Sequence, residues 1–239
     1  MGSAAVPSDP PHTRDDVFMS DDPQSIYVAE RFRSLQGEGA HSGLPCLFVR
    51  LSGCNLSCAY CDTPYARVRS DETRRLTVRE VVERLCAERE ELVCITGGEP
   101  LLQRGSISLM EALTASGKKV ILETNGSLDL SPVPPEVVKI VDVKGPGSGM
   151  EPRNRYENLA LLRATDEVKF VITGRDDFEF AAQIVDRHHL EDGPQVLVSA
   201  ALPELGPREL GEWLLASRRP WRLNLQLHKV LWPDKERGV

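Results

Sequence analysis

Short runs of valine, isoleucine and leucine recur along the chain, and segments with a helical pattern lie between them. Continuous apolar runs of this length are typical of strands that are buried on both faces. The pattern predicts strands at residues 45–52, 92–96, 118–124, 137–144, 167–173, 194–200 and 222–228. It predicts helices at residues 77–90, 106–116, 154–164, 176–189 and 207–218, the first of which begins with a capping box between Thr77 and Glu80.

The alternation of strands and helices predicts an α/β fold with a parallel sheet and right-handed crossovers. A full eight-unit barrel typically takes about 250 residues, so a chain of 239 residues is better suited to an incomplete (partial) TIM-like β/α barrel. Such folds gather their chemistry at the C-terminal ends of the strands. We expect residues 24–239 to form one domain, with two domains as the less favoured division, and residues 1–23 to form a disordered tail.

Composition and charge restrict the possible partners. A formal charge of −7 and a pI near 5.4 argue against a surface that neutralises phosphate backbones, so no nucleic-acid partner is expected. No apolar run approaches the roughly 20 residues that span a membrane, and the N-terminal segment lacks the apolar stretch of a signal peptide. We therefore expect a cytoplasmic protein without a membrane partner. Its six cysteines are expected to be free or metal-bound, with Cys46, Cys86 and Cys94 as small core residues.

The other three cysteines lie close together in the segment LSGCNLSCAYCDTPYA, residues 51–66, as Cys54, Cys58 and Cys61. A loop this short can aim three thiolates at one metal centre. A structural zinc site needs a fourth ligand, and no later cysteine or histidine pair stands ready to supply it. An iron–sulfur cube also takes four ligands, so three cysteines would leave one iron open for a small molecule. Three unrelated loop cysteines, or part of a zinc site, are the alternatives.

A second motif, ITGGEP at residues 95–100, follows a predicted strand. Its two glycines allow the backbone to approach a ligand closely, and the Glu99 carboxylate can receive an ammonium group. A tight connection between a strand and a helix is the structural alternative.

The C-x3-C-x2-C spacing followed by the GGEP turn resembles the radical S-adenosylmethionine (SAM) superfamily. The resemblance implies a [4Fe–4S] cluster on the three cysteines, with the amino and carboxylate groups of SAM bound to the fourth iron. It also implies that electron transfer from the cluster to the SAM sulfonium releases a 5'-deoxyadenosyl radical.

Three further segments narrow the resemblance: SLQGEG before the cysteine loop, CDT at its end, and LQLHK near the C-terminus. Together they resemble the 7-carboxy-7-deazaguanine synthase family over roughly residues 26–239. That family converts 6-carboxy-5,6,7,8-tetrahydropterin into 7-carboxy-7-deazaguanine with release of ammonia, in queuosine and deazapurine biosynthesis. The resemblance also implies Mg²⁺ in the site, a homodimer, and an electron donor such as flavodoxin or ferredoxin.

The chemistry of several side chains agrees with a pterin substrate. Gln36 and Glu38 offer the donors and acceptors that a pterin edge requires. Arg50 lies within an otherwise apolar strand, where an unpaired guanidinium would be costly, so it is expected to face an anion. The resemblance makes this anion the substrate carboxylate, and a salt bridge to an internal acid is the alternative.

The resemblance implies the remaining roles, and no side chain is given a catalytic role because the reaction belongs largely to the cofactor. The implied substrate-binding residues are Leu35, Gln36, Gly37, Glu38, Arg50, Thr96, His228 and Val239. The implied SAM-binding residues are Tyr60, Cys61, Asp62, Gly98, Glu99, Asn125, Lys144 and Ser199. The implied metal ligands are Cys54, Cys58 and Cys61 for the cluster and Thr63 for Mg²⁺. The length of the tail after LQLHK varies within the family, so the role of Val239 is open.

Two other functions share part of this pattern. An activase that installs a glycyl radical on a partner protein would share the three cysteines and the GGEP turn, but it would not need SLQGEG. A non-enzymatic zinc-binding protein would need only the cysteines.

Overall fold

The apolar runs form one nine-stranded sheet in the computed structural model, which describes residues 22–239. The strands are β1 (Ser25–Leu35), β2 (Pro45–Leu51), β3 (Arg74–Thr77), β4 (Leu92–Gly97), β5 (Lys119–Thr124), β6 (Val138–Asp142), β7 (Glu167–Ile172), β8 (Gln195–Ala200) and β9 (Arg222–Leu223). Their order across the sheet is β3-β1-β2-β4-β5-β6-β7-β8-β9. Residues 1–21 of the predicted tail lie outside the described residues.

Within residues 22–239, four of the five α-helices connect consecutive strands. They are α1 (Val78–Cys86), α2 (Gly105–Ala115), α3 (Arg175–His188), α4 (Pro207–Ser217) and α5 (Leu227–Leu231). The predicted capping box at the start of α1 is confirmed, since the Thr77 side chain accepts from the Glu80 amide and the Glu80 carboxylate accepts from the Thr77 amide. Among the described residues, no helix is long and apolar enough to cross a membrane.

The sheet is mostly parallel but not entirely so. The pairs from β2–β4 through β8–β9 are parallel, whereas β1 pairs antiparallel with both β2 and β3. The wholly parallel sheet that we predicted is therefore wrong at one edge, and the pattern missed β1 and β3. The reason is the short connection from β1 to β2, which allows only a hairpin, because a parallel crossover needs a dozen or more residues.

Two predicted elements differ in the structure. The predicted helix at 154–164 is replaced by short 3₁₀ turns at Glu151–Arg153 and Tyr156–Leu161. Here the Asn158 amide group donates to the carbonyls of Gly126 and Leu128, so tertiary contacts hold this segment instead of α-helical bonds. The predicted strand at 222–228 ends at Leu223, and its last residues enter α5.

The two faces of the sheet have different roles. One apolar cluster packs α1 and α2 against the outer face and includes Leu47, Ile95 and Leu109, and a second packs α3 and α4 against the later strands. The opposite face carries Phe48, which stacks on Phe32 with ring centroids 4.8 Å apart, together with further apolar side chains. Cys46 and Cys94 are fully buried as expected, whereas Cys86 is exposed at the end of α1, so its predicted core position is wrong.

Candidate active site

A cleft of about 830 Å³ opens at the carboxyl ends of the parallel strands. It brings together nearly all the residues predicted from the sequence. Those that line it are Leu35, Gln36, Gly37, Glu38, Arg50, Cys54, Cys58, Tyr60, Cys61, Asp62, Thr63, Thr96, Gly98, Asn125, Lys144, His228 and Val239. Glu99 and Ser199 are the two predicted site residues that do not line it.

A close approach of two backbone segments forms one wall of the cleft. The Gly98 amide donates to the Leu51 carbonyl (3.1 Å), and the Glu99 amide donates to the Gly53 carbonyl (2.8 Å). A Cβ atom added to Gly98 would lie 2.2 Å from the Gly53 carbonyl oxygen, and Gly97 has a φ of +145°, which side chains rarely adopt. The double glycine is therefore required to seat the start of the cysteine loop against the end of β4.

Hydrogen bonds at both ends hold the cysteine loop. The Cys54 amide donates to the Arg67 carbonyl (2.9 Å), and the Ala59 amide donates to the Ser148 carbonyl (3.1 Å) in the turn after β6. The Asn125 side-chain amide, after β5, lies 3.1 Å from Asn55 Oδ1 and 3.8 Å from Cys54 Sγ. These contacts fix the loop to the turns that follow two neighbouring strands.

The three thiols of the loop are free, half-buried and face the cleft. Burial raises the pKa of Cys54 and of Cys58, and at Cys58 it outweighs the opposing effect of the Lys144 ammonium. Within residues 22–239, no three His, Cys, Asp or Glu side chains are arranged to hold a single metal ion. A cube requires a different arrangement because each thiolate binds its own iron. Three thiols around one open cavity fit that requirement, and bound iron would supply positive charge that favours the thiolates.

Glu99 faces away from the cleft. Its carboxylate accepts hydrogen bonds from the Leu101 amide (2.9 Å), the Thr124 hydroxyl (2.9 Å) and the Asn125 amide (2.7 Å), and its side chain is fully buried. Burial raises the pKa of Glu99. In this structure Glu99 fixes the turn after β5, and the cleft at this point is lined by Gly97 and Gly98 instead.

Ser199 is also withdrawn from the cleft. It is buried on β8, and its hydroxyl accepts a hydrogen bond from the Asn224 side chain (2.8 Å). The Asn224 amide in turn continues the β8–β9 ladder by donating to the Val198 carbonyl (2.8 Å).

A polar group missed from the sequence lies opposite the cysteine loop. Glu123 of β5 lines the cleft, and its carboxylate accepts from Thr96 Oγ1 (2.8 Å) and Gln36 Nε2 (3.3 Å). The side-chain oxygen of Gln36, Oε1, accepts a hydrogen bond from the Gly37 backbone amide (2.8 Å), and this bond sets the orientation of the Gln36 side chain. Donors and acceptors therefore alternate along this wall.

Arg50 forms the internal salt bridge that was considered as its alternative role. Its Nε donates to Glu30 Oε1 (2.8 Å), and the Tyr65 hydroxyl donates to the same oxygen (2.6 Å). Within the described part of the chain its two terminal nitrogens form no hydrogen bond, and the residue lines the cleft. Arg50 thus has an internal partner that fixes its position and leaves the outer edge of the guanidinium available to an anion.

A buried array of four charged residues lines the cleft, and two of them, Asp142 and Lys169, were missed from the sequence. Lys169 Nζ lies 2.8 Å from Glu38 Oε2 and 3.6 Å from Asp142 Oδ2, and Asp142 also pairs with Lys144 Nζ (2.9 Å). Burial alone would raise the pKa of Glu38, but the Lys169 ammonium, together with the Gln226 amide and His228, outweighs burial and lowers that pKa to about 2. A single charged residue inside an apolar strand, the signal that singled out Arg50, would also have identified Lys169.

The C-terminal segment folds over the mouth of the cleft. His228 lies on α5 and not on the predicted last strand, and burial lowers the pKa of its imidazole. Beyond α5, Arg237 covers the Tyr65 ring at 4.2 Å and pairs with Glu72, and Val239 lines the cleft. Six of the eleven residues after His228 line the cleft in this structure.

The comparisons with known proteins agree with this geometry. The pattern of the Radical SAM superfamily matches residues 48–187. The 7-carboxy-7-deazaguanine synthase of Koribacter versatilis (strain Ellin345) is 42% identical over 228 residues, which cover 90% of this chain and 100% of that protein. The chain belongs to the 7-carboxy-7-deazaguanine synthase family.

Further members of the synthase family give the same result. The enzyme of that name from Chlorobaculum tepidum is 38% identical, with 90% of this chain and 97% of that protein covered. The crystal structure of QueE from Escherichia coli has a TM-score of 0.70 at 23% identity and covers 90% of this chain and 99% of that chain, a likeness of fold. The predicted family and the partial-barrel α/β fold are confirmed, and membership of the synthase family implies a [4Fe–4S] cluster and SAM. The roles of individual side chains stay predictions.

Replacement of Gly98 by alanine tests how this member of the synthase family seats its cysteine loop. The added methyl would collide with the Gly53 carbonyl, so we expect Gly98→Ala to displace the loop and lose most of the cluster. Iron and sulfide per chain after anaerobic reconstitution would measure this. Gly206→Ala is the matched control, because Gly206 has a φ of −82° and nothing near its Cβ position. A full cluster in Gly98→Ala would contradict the proposed seating.

Proposed function

We propose that this protein is a radical SAM 7-carboxy-7-deazaguanine synthase that converts 6-carboxy-5,6,7,8-tetrahydropterin into 7-carboxy-7-deazaguanine with release of ammonia, in queuosine biosynthesis. The observation that carries the proposal is a single cleft holding a three-thiol loop and, opposite it, the polar wall of Gln36, Thr96 and Glu123. Family membership at 42% and 38% identity supports the activity.

The cysteine loop would hold the cofactors. Cys54, Cys58 and Cys61 would bind three irons, and the remaining iron would be open to SAM. When bound, the cluster and SAM supply the radical that removes hydrogen from the substrate. Lys144 and Tyr60 line the cleft beside this loop, with Lys144 Nζ 5.7 Å from the centre of the Tyr60 ring. We propose that these two residues contact SAM.

The opposite wall would orient the pterin. Gln36 and Glu123 present an amide and a carboxylate, which match the mixed donors and acceptors of a pterin edge. The outer edge of Arg50 would bind the substrate carboxylate through charge-assisted hydrogen bonds. The apolar floor formed by Phe48 and Ile140 would exclude water from the radical. The protein would thus bind and orient the pterin and shield the radical from water.

Thr63 is the proposed protein ligand of Mg²⁺. It is half-buried, faces the cleft, and makes no capping hydrogen bond to the 3₁₀ turn Pro64–Ala66 that follows it. Its hydroxyl is a hard oxygen donor, and Mg²⁺ commonly takes few protein ligands and completes its shell with water and substrate.

We further propose that the protein acts in the cytoplasm as a homodimer, with flavodoxin or ferredoxin as electron donor. Free thiols and a cluster that must be reduced suit a reducing compartment. The glycyl-radical activase and the zinc-binding protein lose their support, because the relatives match over 90% of the chain and carry the synthase name.

Anaerobic turnover of 6-carboxytetrahydropterin with SAM and a chemical reductant tests the function directly. We expect 7-carboxy-7-deazaguanine, detected by mass spectrometry, in amounts that exceed the enzyme many times. Methionine and 5'-deoxyadenosine without any deazapurine would leave radical SAM chemistry in place and refute the proposed substrate.

Substitution of Arg50 by methionine tests the carboxylate-binding role. We expect the KM for the pterin to rise about tenfold to a hundredfold, since a charge-assisted hydrogen bond contributes roughly 1.5–3 kcal/mol. The KM for SAM should change little. Arg31→Met is the matched control on the same hairpin, because Arg31 faces solvent and pairs only loosely with Glu88 at 3.8 Å. Equal losses for pterin and SAM in Arg50→Met would indicate a structural role.

A further inference from the structure

Lys169 joins the two ends of the cleft. It lies on β7 in register with Asp142 of β6, and its side chain is 12% exposed. Its ammonium contacts Glu38 at 2.8 Å on one side and Asp142 at 3.6 Å on the other. Glu38 follows β1 at the proposed pterin end, whereas Asp142 pairs with Lys144 at the proposed SAM end.

The surroundings of Glu38 contain few positive charges. Three carboxylates lie in the same region, those of Glu123 on β5, Asp142 on β6 and Glu167 on β7. Glu123 and Asp142 raise the pKa of Lys169, and Glu123 also raises the pKa of Glu167. His228 on α5 faces Glu38 as well, but burial lowers the pKa of its imidazole and favours the neutral form. Lys169 is therefore the charged donor on which the ionisation of Glu38 depends.

Neutral donors complete the cage around this carboxylate. Asn224 Nδ2 lies 3.2 Å from Glu38 Oε2, and Gln226 Nε2 lies 2.9 Å from Glu38 Oε1. Three donors from β7 and the C-terminal segment thus fix the orientation of a carboxylate that is 8% exposed. Amide donors orient this carboxylate but carry no net charge. A buried carboxylate without a nearby positive charge favours its protonated form.

We propose that Lys169 is a positioning residue that keeps Glu38 an ionised, acceptor-only group facing the pterin and ties it to the Asp142–Lys144 pair at the SAM end. This inference rests on the proposed function. An ionised Glu38 can only accept, so it favours ligand edges that present N–H donors. A protonated Glu38 would present an O–H donor and mismatch the same edge. Lys169 would thereby set specificity without touching the substrate.

Loss of the lysine charge should make pterin binding sensitive to pH. In the parent protein the pKa of Glu38, about 2, keeps the carboxylate ionised from mildly acidic to alkaline pH. In Lys169→Met the main influence that opposes burial would be lost, so the pKa of Glu38 would rise. The group would then become protonated as the pH falls. The ratio of variant to parent KM for the pterin should therefore be largest at the acidic end, by about tenfold, and shrink as pH rises.

Three companion variants separate charge from structure. Lys169→Arg keeps the charge and should give a ratio that does not vary with pH. Lys139→Met is the matched control, because Lys139 on the adjacent strand β6 is also a buried lysine, is paired with Asp166 (3.1 Å), and lies outside the cleft lining. It should lower stability without a pH-dependent KM ratio. Glu38→Gln mimics the neutral acid in a chain that retains Lys169, so its pterin KM should be raised at every pH.

Several results would overturn the inference. One is a KM ratio for Lys169→Met that does not vary with pH, and another is the same pH dependence in Lys139→Met or in Lys169→Arg. Should Lys169→Met fail to fold, a parental pterin KM in Glu38→Gln would overturn it instead. Failure of the proposed function is distinguishable, because the parent protein itself would then form no deazapurine.

Discussion

The site depends on one close approach of backbone, where the turn after β4 crosses the end of β2. Two hydrogen bonds join the segments, and a side chain at Gly98 would occupy the space of the Gly53 carbonyl. This crossing directs the chain from β2 into the cysteine loop along the rim of the sheet. The thiols and the double-glycine turn therefore line the same cavity.

Paired charges supported on an apolar sheet build the rest of the cleft. Along the inner face, Phe48 and Ile140 form a floor that contains no charge, and the ionised groups appear only near the carboxyl ends of the strands. Several buried ions there have a partner of opposite charge, as Arg50 has Glu30 and Lys169 has Glu38. Removal of one member would leave its partner buried and uncompensated, which is strongly unfavourable. This pairing explains how a polar substrate site can exist inside a partial barrel.

The sequence predicted the parts of this structure that local patterns determine. The parallel strands from β2 to β8, the capping box of α1 and the cysteine loop each rest on a few consecutive residues. The pattern missed β1, whose second half carries the charged residues Glu30, Arg31 and Arg33, and it extended β9 through His228 because Leu223, Leu225 and Leu227 alternate as a strand would. The partnerships of Glu38 with Lys169 and of Thr96 with Glu123 could not be predicted, because they join residues far apart in the chain whose proximity only the strand order determines.

The central claim is that three thiols hold a cluster with one iron open to SAM inside this cleft. Electron paramagnetic resonance of the anaerobically reconstituted, reduced protein, recorded before and after addition of SAM, tests it most directly. We predict the signal of a reduced [4Fe–4S] cluster that changes shape when SAM binds to the open iron. A cluster signal that SAM leaves unchanged, or the absence of any such signal in fully reconstituted protein, would contradict the account.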